Sequence, residues 1–364
     1  MKLKRLEIAN FRNILNIHYQ PGPGLNILQG DNGQGKTNII ESIYVLATGN
    51  SFRTNIDKNL VNYDKDSFHI QGCYTCKERK IESNLQYNIS NGKKYTINSK
   101  KTTHRHYDRL RVVLFTPDDL SLIKGAPGKR RNFIDVLLKQ IFKEYYSDFV
   151  SYTKILKKRN LLLKKEQTNS TSFEIINQLF IENAARIIMA RIKLINVLDE
   201  KAAAVYNKLN DEDIILKIRY ALSFPIDSDK IDANVLKEAL KKQINLKHED
   251  EIKQKNTLIG PHLDDINIYQ NGKIARYFAS QGQQRNIVVA IKLAEMITFN
   301  TISDFYPVFL LDEVLSELDN KKQYLLLDYL NEAEFQSFLT SVRLKDIKKN
   351  NAVIIYTVIN GKLQ

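Results

Sequence analysis

Cysteine is almost missing from this 364-residue chain. The two present, Cys73 and Cys76, form a lone Cys-x-x-Cys in HIQGCYTCKERK. A zinc site needs about four ligands, and no second pair exists. His69 stands nearby, but the alternation around it reads as a strand, so both thiols read as incidental to function. Long apolar runs are missing too. None approaches the roughly 20 residues of a membrane span, and MKLKRLEIANFRN at the start is too charged for a signal peptide. That disfavours a membrane protein and points to the cytoplasm. Acidic residues are the minority, 41 Asp and Glu against 55 Lys and Arg, for a net charge of +14. Such a balance favours a polyanionic partner, nucleic acid before an anionic membrane surface, although a chain rich in Lys, Asn and Ile also gains lysine by compositional bias. Internal repeats and sustained heptads are absent as well. At 43% hydrophobic and 26% charged, the chain is otherwise ordinary for a globular protein, and its length predicts one large domain or two.

Residues 1 to about 115 read as strands and turns around one helix. KLKRLEIANF alternates, LNILQ is a short apolar run, and SFHIQGCYT and KKYTINSKK are strand-like, the latter behind an Asn91-Gly92 hairpin signal. From about 129 to 250 glycine is all but absent, and apolar residues recur every three or four positions, which predicts a helical lobe. QTNSTS, residues 167–172, breaks it as a loop. After about 255 strands and helices alternate again, with a hairpin at Asn271-Gly272, a helix from QQRNIVVAIKLAE and a buried strand in YPVFLLDE. Alternation of this kind implies a largely parallel sheet. The expected organisation is an α/β, nucleotide-type domain built from both chain ends, 1–115 and 255–364, around an inserted, mainly helical lobe, 116–254.

LNILQGDNGQGKTNIIESIYVLATG asks why the most flexible residues sit where a strand hands over to a helix. GDNGQGKT fits G-x-x-x-x-G-K-[ST] at Gly30, Gly35, Lys36 and Thr37. Glycines let consecutive N–H groups curl around phosphate oxygens, the helix start adds positive potential, Lys36 reaches the β/γ-phosphates, and the Thr37 hydroxyl ligates Mg²⁺. The loop is expected to hold a nucleotide triphosphate. At the far end, VFLLDE places four apolar residues before Asp312 and Glu313. Asp312 is positioned for the Mg²⁺ shell and Glu313 for polarising an attacking water. SQGQQR, from Ser280 to Arg285, reads alone as a capped helix start.

Together with those motifs, SQGQQR resembles the signature of ABC-type ATPases, which binds the γ-phosphate of a nucleotide held by the other subunit. The chain as a whole resembles the RecF family, the SMC-like ABC ATPases of bacterial recombinational repair. The likeness runs through NFRN, GDNGQGKTNIIESIYVLATGNSFR, FTPDDLSLIKGAPGKRRNFID, LKKRN, TLIGPHLDDI, FASQGQQRNIVVAIKLAE and FLLDEVLSELD. It implies an ABC-type P-loop ATPase domain, with nucleotide contacts from Arg12, from the loop residues Gly30, Asp31, Asn32, Gly33, Gln34, Gly35, Lys36 and Thr37, and from Ser280, Gln281, Gly282 and Asp319. It further implies a cytoplasmic, slow, DNA-stimulated ATPase, a switch rather than a motor, acting in DNA damage repair, replication restart and the SOS response. Such a protein dimerises on ATP and binds single-strand DNA and single-strand/duplex junctions. With RecR/RecO-type mediators it helps to load RecA. Asn50 and Leu263 depart from the basic residues usual in relatives. Thr340 occupies the position of the switch histidine of transporter ATPases, which leaves the γ-phosphate sensor unassigned.

A transporter ATPase subunit would carry a different signature and that histidine. A chromosome organiser needs hundreds of residues of heptads. A small-molecule kinase has no need of a distant signature, and a non-hydrolysing ATP scaffold has no need of Glu313. For DNA, the candidates are Lys129, Arg130 and Arg131, which open a helix where positive charge opposes its dipole, and Lys157, Lys158 and Arg159. The ordinary reading of such runs is a solvated helical face; phosphate contact is the sharper one.

Overall fold

The computed structural model describes residues 1–210, 214–226, 230–342 and 353–364. Two compact units emerge, Met1–Asp119 with Glu295–Gln364, and Leu120–Ala294. The first division lies close to the expected one. The second comes later than residue 254, and strand pairing is the reason. Leu216–Ala221, inside the lobe, pairs antiparallel with Asp265–Gln270, which pairs in turn with Lys273–Ile274. The hairpin expected to rejoin the nucleotide domain is thus part of a three-stranded sheet of the second unit. Its turn is the expected Asn271-Gly272, at φ of 49° and 75°, as a two-residue type I′ connection requires.

The first unit holds two sheets. One is antiparallel, in the order Ile14–Tyr19, Lys2–Phe11, Ser67–Cys76, Arg79–Asn88, Gly92–Ile97, Lys100–Thr102. Its alternation puts Leu6, Ile8, Phe68 and Ile70 into the core. The other runs Lys362–Leu363, Ile354–Ile359, Leu25–Gln29, Ser337–Ser341, Val308–Leu311, Val112–Phe115, and its pairings are parallel apart from the terminal Lys362–Leu363. Val308–Leu311 is buried along its whole length, which explains why it is uniformly apolar rather than alternating. Helix Lys36–Thr48 buries Ile39, Ile40, Ile43 and Leu46 in the core shared by the two sheets. Burying each such side chain stabilises the fold by roughly 1.5–3 kcal/mol. Gly49, at φ 76°, ends the helix and donates its N–H to the Val45 carbonyl at 2.8 Å, a left-handed cap. Cys73 and Cys76 are free and buried in the antiparallel sheet.

The second unit is mostly helical: Pro127–Ile141, Lys143–Lys164, Thr171–Leu209 and Ala233–Gln254. The expected break at 167–172 is real, and Ser170 within it caps the next helix by accepting the Phe173 N–H at 3.2 Å. Helix Gln281–Ser303 starts in this unit and ends in the other. Among the described residues it alone has the length and composition to cross a membrane, yet 67% of its apolar window is buried. Buried Lys292 and Glu295 interrupt it, so it escapes a search for unbroken apolar runs and reads as a core helix.

Candidate nucleotide site

Strand Leu25–Gln29 ends at the loop, and helix Lys36–Thr48 begins with Lys36. Gly30 admits no side chain, because a Cβ would stand 2.4 Å from the Val358 carbonyl oxygen. Gly35 is the N-cap at φ 108°, a left-handed conformation that glycine adopts without penalty. No side chain caps this helix, which leaves its first N–H groups to a ligand. Asp31, Asn32 and Gly33 are exposed. Gln34 is anchored instead: its Oε1 accepts the Asn360 N–H at 2.6 Å, and its carbonyl accepts the Gly361 N–H at 2.8 Å.

Lys36 turns back over the loop and donates to the carbonyls of Gly30 and Asp31, both at 2.7 Å. Burial lowers its pKa, and the carboxylates of Glu313, Asp312 and Asp31 oppose that shift. Two carbonyl dipoles are modest partners for a desolvated cation. Phosphate oxygens would be stronger ones.

Adjacent parallel strands bring the far end of the chain to this loop. Ser337–Ser341 lies between Leu25–Gln29 and Val308–Leu311, so Asp312 and Thr340 share the C-terminal edge of the sheet with the loop, where open α/β sheets bind ligands. Thr37 Oγ1 donates to Asp312 Oδ1 at 2.8 Å, and Thr340 Oγ1 donates to the same oxygen at 3.0 Å. Burial raises the Asp312 pKa, while the two hydroxyl bonds pull it down. These hard oxygen donors suit Mg²⁺, which keeps waters and phosphate oxygens in its shell rather than entering an all-protein cage.

Glu313 follows with an exposed side chain and φ 54°, a left-handed backbone that costs a non-glycine residue on the order of 1–3 kcal/mol. Its N–H donates to Thr340 Oγ1 at 2.8 Å, and its carbonyl accepts from Ser316 Oγ at 2.6 Å. Asp319 caps helix Asn320–Glu332 by accepting the Lys322 N–H at 2.9 Å.

Several expected site residues have other partners. Arg12 forms a two-pronged ion pair with fully buried Glu41, at 2.9 and 2.7 Å, and donates to the Asn59 carbonyl at 2.7 Å. Two of its donors therefore hold helix Lys36–Thr48 in place, and a third ties it to the turn Asp57–Leu60. Arg53 was not anticipated: it donates to Asn38 Oδ1 at 2.9 Å, and its charge lowers the Asp312 pKa. The only sequence signal for it is the SFR that closes the loop-helix motif.

Ser280, Gln281 and Gly282 are exposed in the second unit. Ser280 Oγ accepts the Gln283 N–H at 3.2 Å, and the Ser280 N–H donates to Gln283 Oε1 at 2.9 Å. This is a reciprocal capping box, so SQGQ builds its own rigid helix start. A Cβ at Gly282 would meet nothing within 4 Å.

Two of the DNA candidates are corrected. Arg130, 4% exposed, pairs with Asp265 through two bonds of 2.8 Å and donates to the Gly125 carbonyl at 2.8 Å. Arg159, fully buried, is paired with Glu251 and donates to Thr257 and Asn177. Both guanidinium groups are used inside the fold, and neither faces a solvent-borne phosphate. Lys129, Lys157 and Lys158 are exposed. Arg131 is partly exposed and donates to the Asp264 carbonyl at 2.7 Å.

A phosphate loop and a strand-end Asp-Glu pair meet here on one parallel sheet, as in P-loop ATPases, and the family and structure matches make this an SMC-like ABC ATPase head. The profile described as RecF/RecN/SMC N terminal domain matches residues 2–363. Over its full length the chain is 36% identical to the DNA replication and repair protein RecF of Enterococcus faecalis, 99% of which is covered. The RecF of Staphylococcus carnosus is 38% identical over 95% of both chains. The chain belongs to the RecF family. A solved structure of the recombination mediator protein RecF-ATP in the RecFOR pathway superposes with a TM-score of 0.88 at 29% identity, covering 100% of this chain and 97% of that one. An Smc head bound to the C-winged helix domain of ScpA shares the fold, with a TM-score of 0.56 at 15% identity.

Proposed function

We propose that this protein is an ATP-dependent DNA-binding switch of recombinational repair and replication restart. It binds MgATP in the first unit and dimerises on it, engages single-strand DNA and single-strand/duplex junctions, and helps to load RecA together with RecR/RecO-type mediators. Slow, DNA-stimulated hydrolysis then releases the DNA. The carrying observation is the Thr37–Asp312 contact of 2.8 Å, which makes one site of the two chain ends. Relatives named for DNA replication and repair support the biological assignment, as does the relative solved with ATP. The net charge of +14 suits a phosphate-backbone partner, and a protein of this kind works in the cytoplasm.

Within the site, the loop N–H groups and Lys36 bind and orient the phosphates. Thr37 and Asp312 would hold Mg²⁺, which would supply positive charge to offset the negative charge of the phosphates. Glu313 takes a proton from the water that attacks the γ-phosphorus as the bond to the bridging oxygen breaks, yielding ADP and inorganic phosphate. Ser280, Gln281 and Gly282 serve the nucleotide of the second subunit, with Asp319 beside that interface.

Glu313→Gln keeps the size of the side chain and loses the base. It should retain ATP, sediment as a dimer and hold DNA longer, with turnover slowed by about 10²-fold or more. Wild-type turnover in this variant, or DNA binding indifferent to ATP in both proteins, would overturn the reading.

A further inference from the structure

Thr340 is 1% exposed, and its hydroxyl makes two bonds whose directions the partners dictate. The Glu313 N–H can only donate, and does so at 2.8 Å; an ionised Asp312 carboxylate can only accept, and Oδ1 does so at 3.0 Å. One hydroxyl therefore grips both sides of the Asp312–Glu313 peptide. On one side it fixes the carboxylate oxygen that also takes the Thr37 hydroxyl at 2.8 Å. On the other it ties down the amide of a residue held at φ 54°, a conformation that persists only where the surroundings impose it. A buried hydroxyl in this strand is not bonded as a matter of course: Ser337 Oγ, three residues earlier, is buried without a partner. Filling the space beside Phe338 and Leu339 would need only a valine.

We propose that Thr340 is a positioning residue for hydrolysis, holding the Asp312–Glu313 peptide so that Asp312 faces Thr37 while the Glu313 side chain is turned outward to meet water. The inference rests on the reading of Glu313 as the base. Thr340 touches no substrate in this scheme and acts through the Asp312 carboxylate and the Glu313 backbone N–H.

Thr340→Val keeps the shape and removes both bonds, while Thr340→Ser keeps the hydroxyl. In the Val variant kcat should fall by about 10²-fold, the scale of a reacting group misplaced by an ångström. The ATP dissociation constant should stay within about threefold, since the loop N–H groups and Lys36 make no bond to Thr340. Amide hydrogen exchange at Glu313 should speed up, and Ser should restore both kcat and exchange protection. In a Glu313→Gln background, Thr340→Val should cost little more, because residues acting as one unit are not additive. If the Val chain does not fold, Thr340→Ala is taken through the same measurements. Wild-type kcat in the Val variant overturns the proposal. So does a Ser variant no better than Val, or a full additional loss on top of Glu313→Gln. If instead the wild type fails to hydrolyse ATP, or Glu313→Gln turns over normally, the reading of Glu313 falls, and that is a different result from Thr340 alone proving indifferent.

Discussion

Thr37 and Asp312 are 275 residues apart in the chain and 2.8 Å apart in the fold. The contact joins the first residue pair of a helix to the end of a strand, and it exists because one intervening strand, Ser337–Ser341, pairs with both neighbours in parallel register. Everything chemical in the first unit is arranged around it.

Lys36 tests the loop. Its ammonium is buried with two carbonyl partners, and burial holds its pKa down. The fold therefore gains little from this charge. Lys36→Ala should abolish ATP binding in titration calorimetry and leave the thermal midpoint close to wild type. ATP affinity that survives the change would mean that this loop is not the triphosphate site.

The sequence exposes this loop because its chemistry demands a fixed order of glycines, lysine and hydroxyl between a strand and a helix, and Asp312 because four buried apolar residues lead to it. Arg159 is different. LKKRN is a basic run in one dimension, but Arg159 lies seven residues after Tyr152 and four before Leu163, both buried, so helical phase turns it inward while Lys157 and Lys158 point out. Arg130 likewise precedes buried Ile134 and Leu137 at the same spacings. That phase was legible; the partners Glu251 and Asp265, 92 and 135 residues away, were not. Nor could local pattern assign hairpin 265–274 to the lobe, since its pairing strand Leu216–Ala221 reads too weakly by itself.

Charge and burial therefore separate the basic residues into two experimental classes. Lys157→Ala and Lys158→Ala should leave the thermal midpoint unchanged. If these side chains contact phosphates, each change should reduce the slope of log affinity against log salt by about 0.9 on duplex DNA. Arg159→Ala strands the fully buried Glu251 and should destabilise the second unit by about 3–5 kcal/mol. A stable Arg159→Ala chain with weakened DNA binding would reverse this division.

His262 should make the second unit sensitive to acid. Burial lowers its pKa to about 4 from 6.5, and its Nδ1 lies 2.6 Å from the Tyr152 hydroxyl. The unfolded chain binds the proton more readily, so this histidine's contribution is complete above about pH 6.5 and drains away as pH falls toward 4. The loss by pH 4 is about 3 kcal/mol. Denaturant midpoints measured across that window should decline in the wild type. The decline should be shallower in His262→Gln, whatever its stability at neutral pH. Parallel declines would show that His262 is not the responsible group.

The composite site calls for a test in which neither chain is sufficient alone. Ser280 sits in a capping box at an exposed helix start, so Ser280→Arg removes a cap, worth about 1 kcal/mol, and places a bulky cation where the partner's γ-phosphate is proposed to dock. That chain keeps its own phosphate loop and should bind ATP as a monomer, yet neither dimerise nor hydrolyse. Lys36→Ala has the opposite defect, with an intact Ser280 and no working loop. Mixed together, the two can form one complete site, the loop of the first chain facing the signature of the second. Partial recovery of ATPase activity on mixing, absent from either protein alone, is the expected result if one site suffices. Loop and signature acting on the same nucleotide within one chain would give no recovery, because each variant would carry its own defect into every site. Normal ATP-driven dimerisation of Ser280→Arg by sedimentation would refute the trans arrangement directly, and the idea of ATP as the bond that closes a clamp on DNA would fall with it.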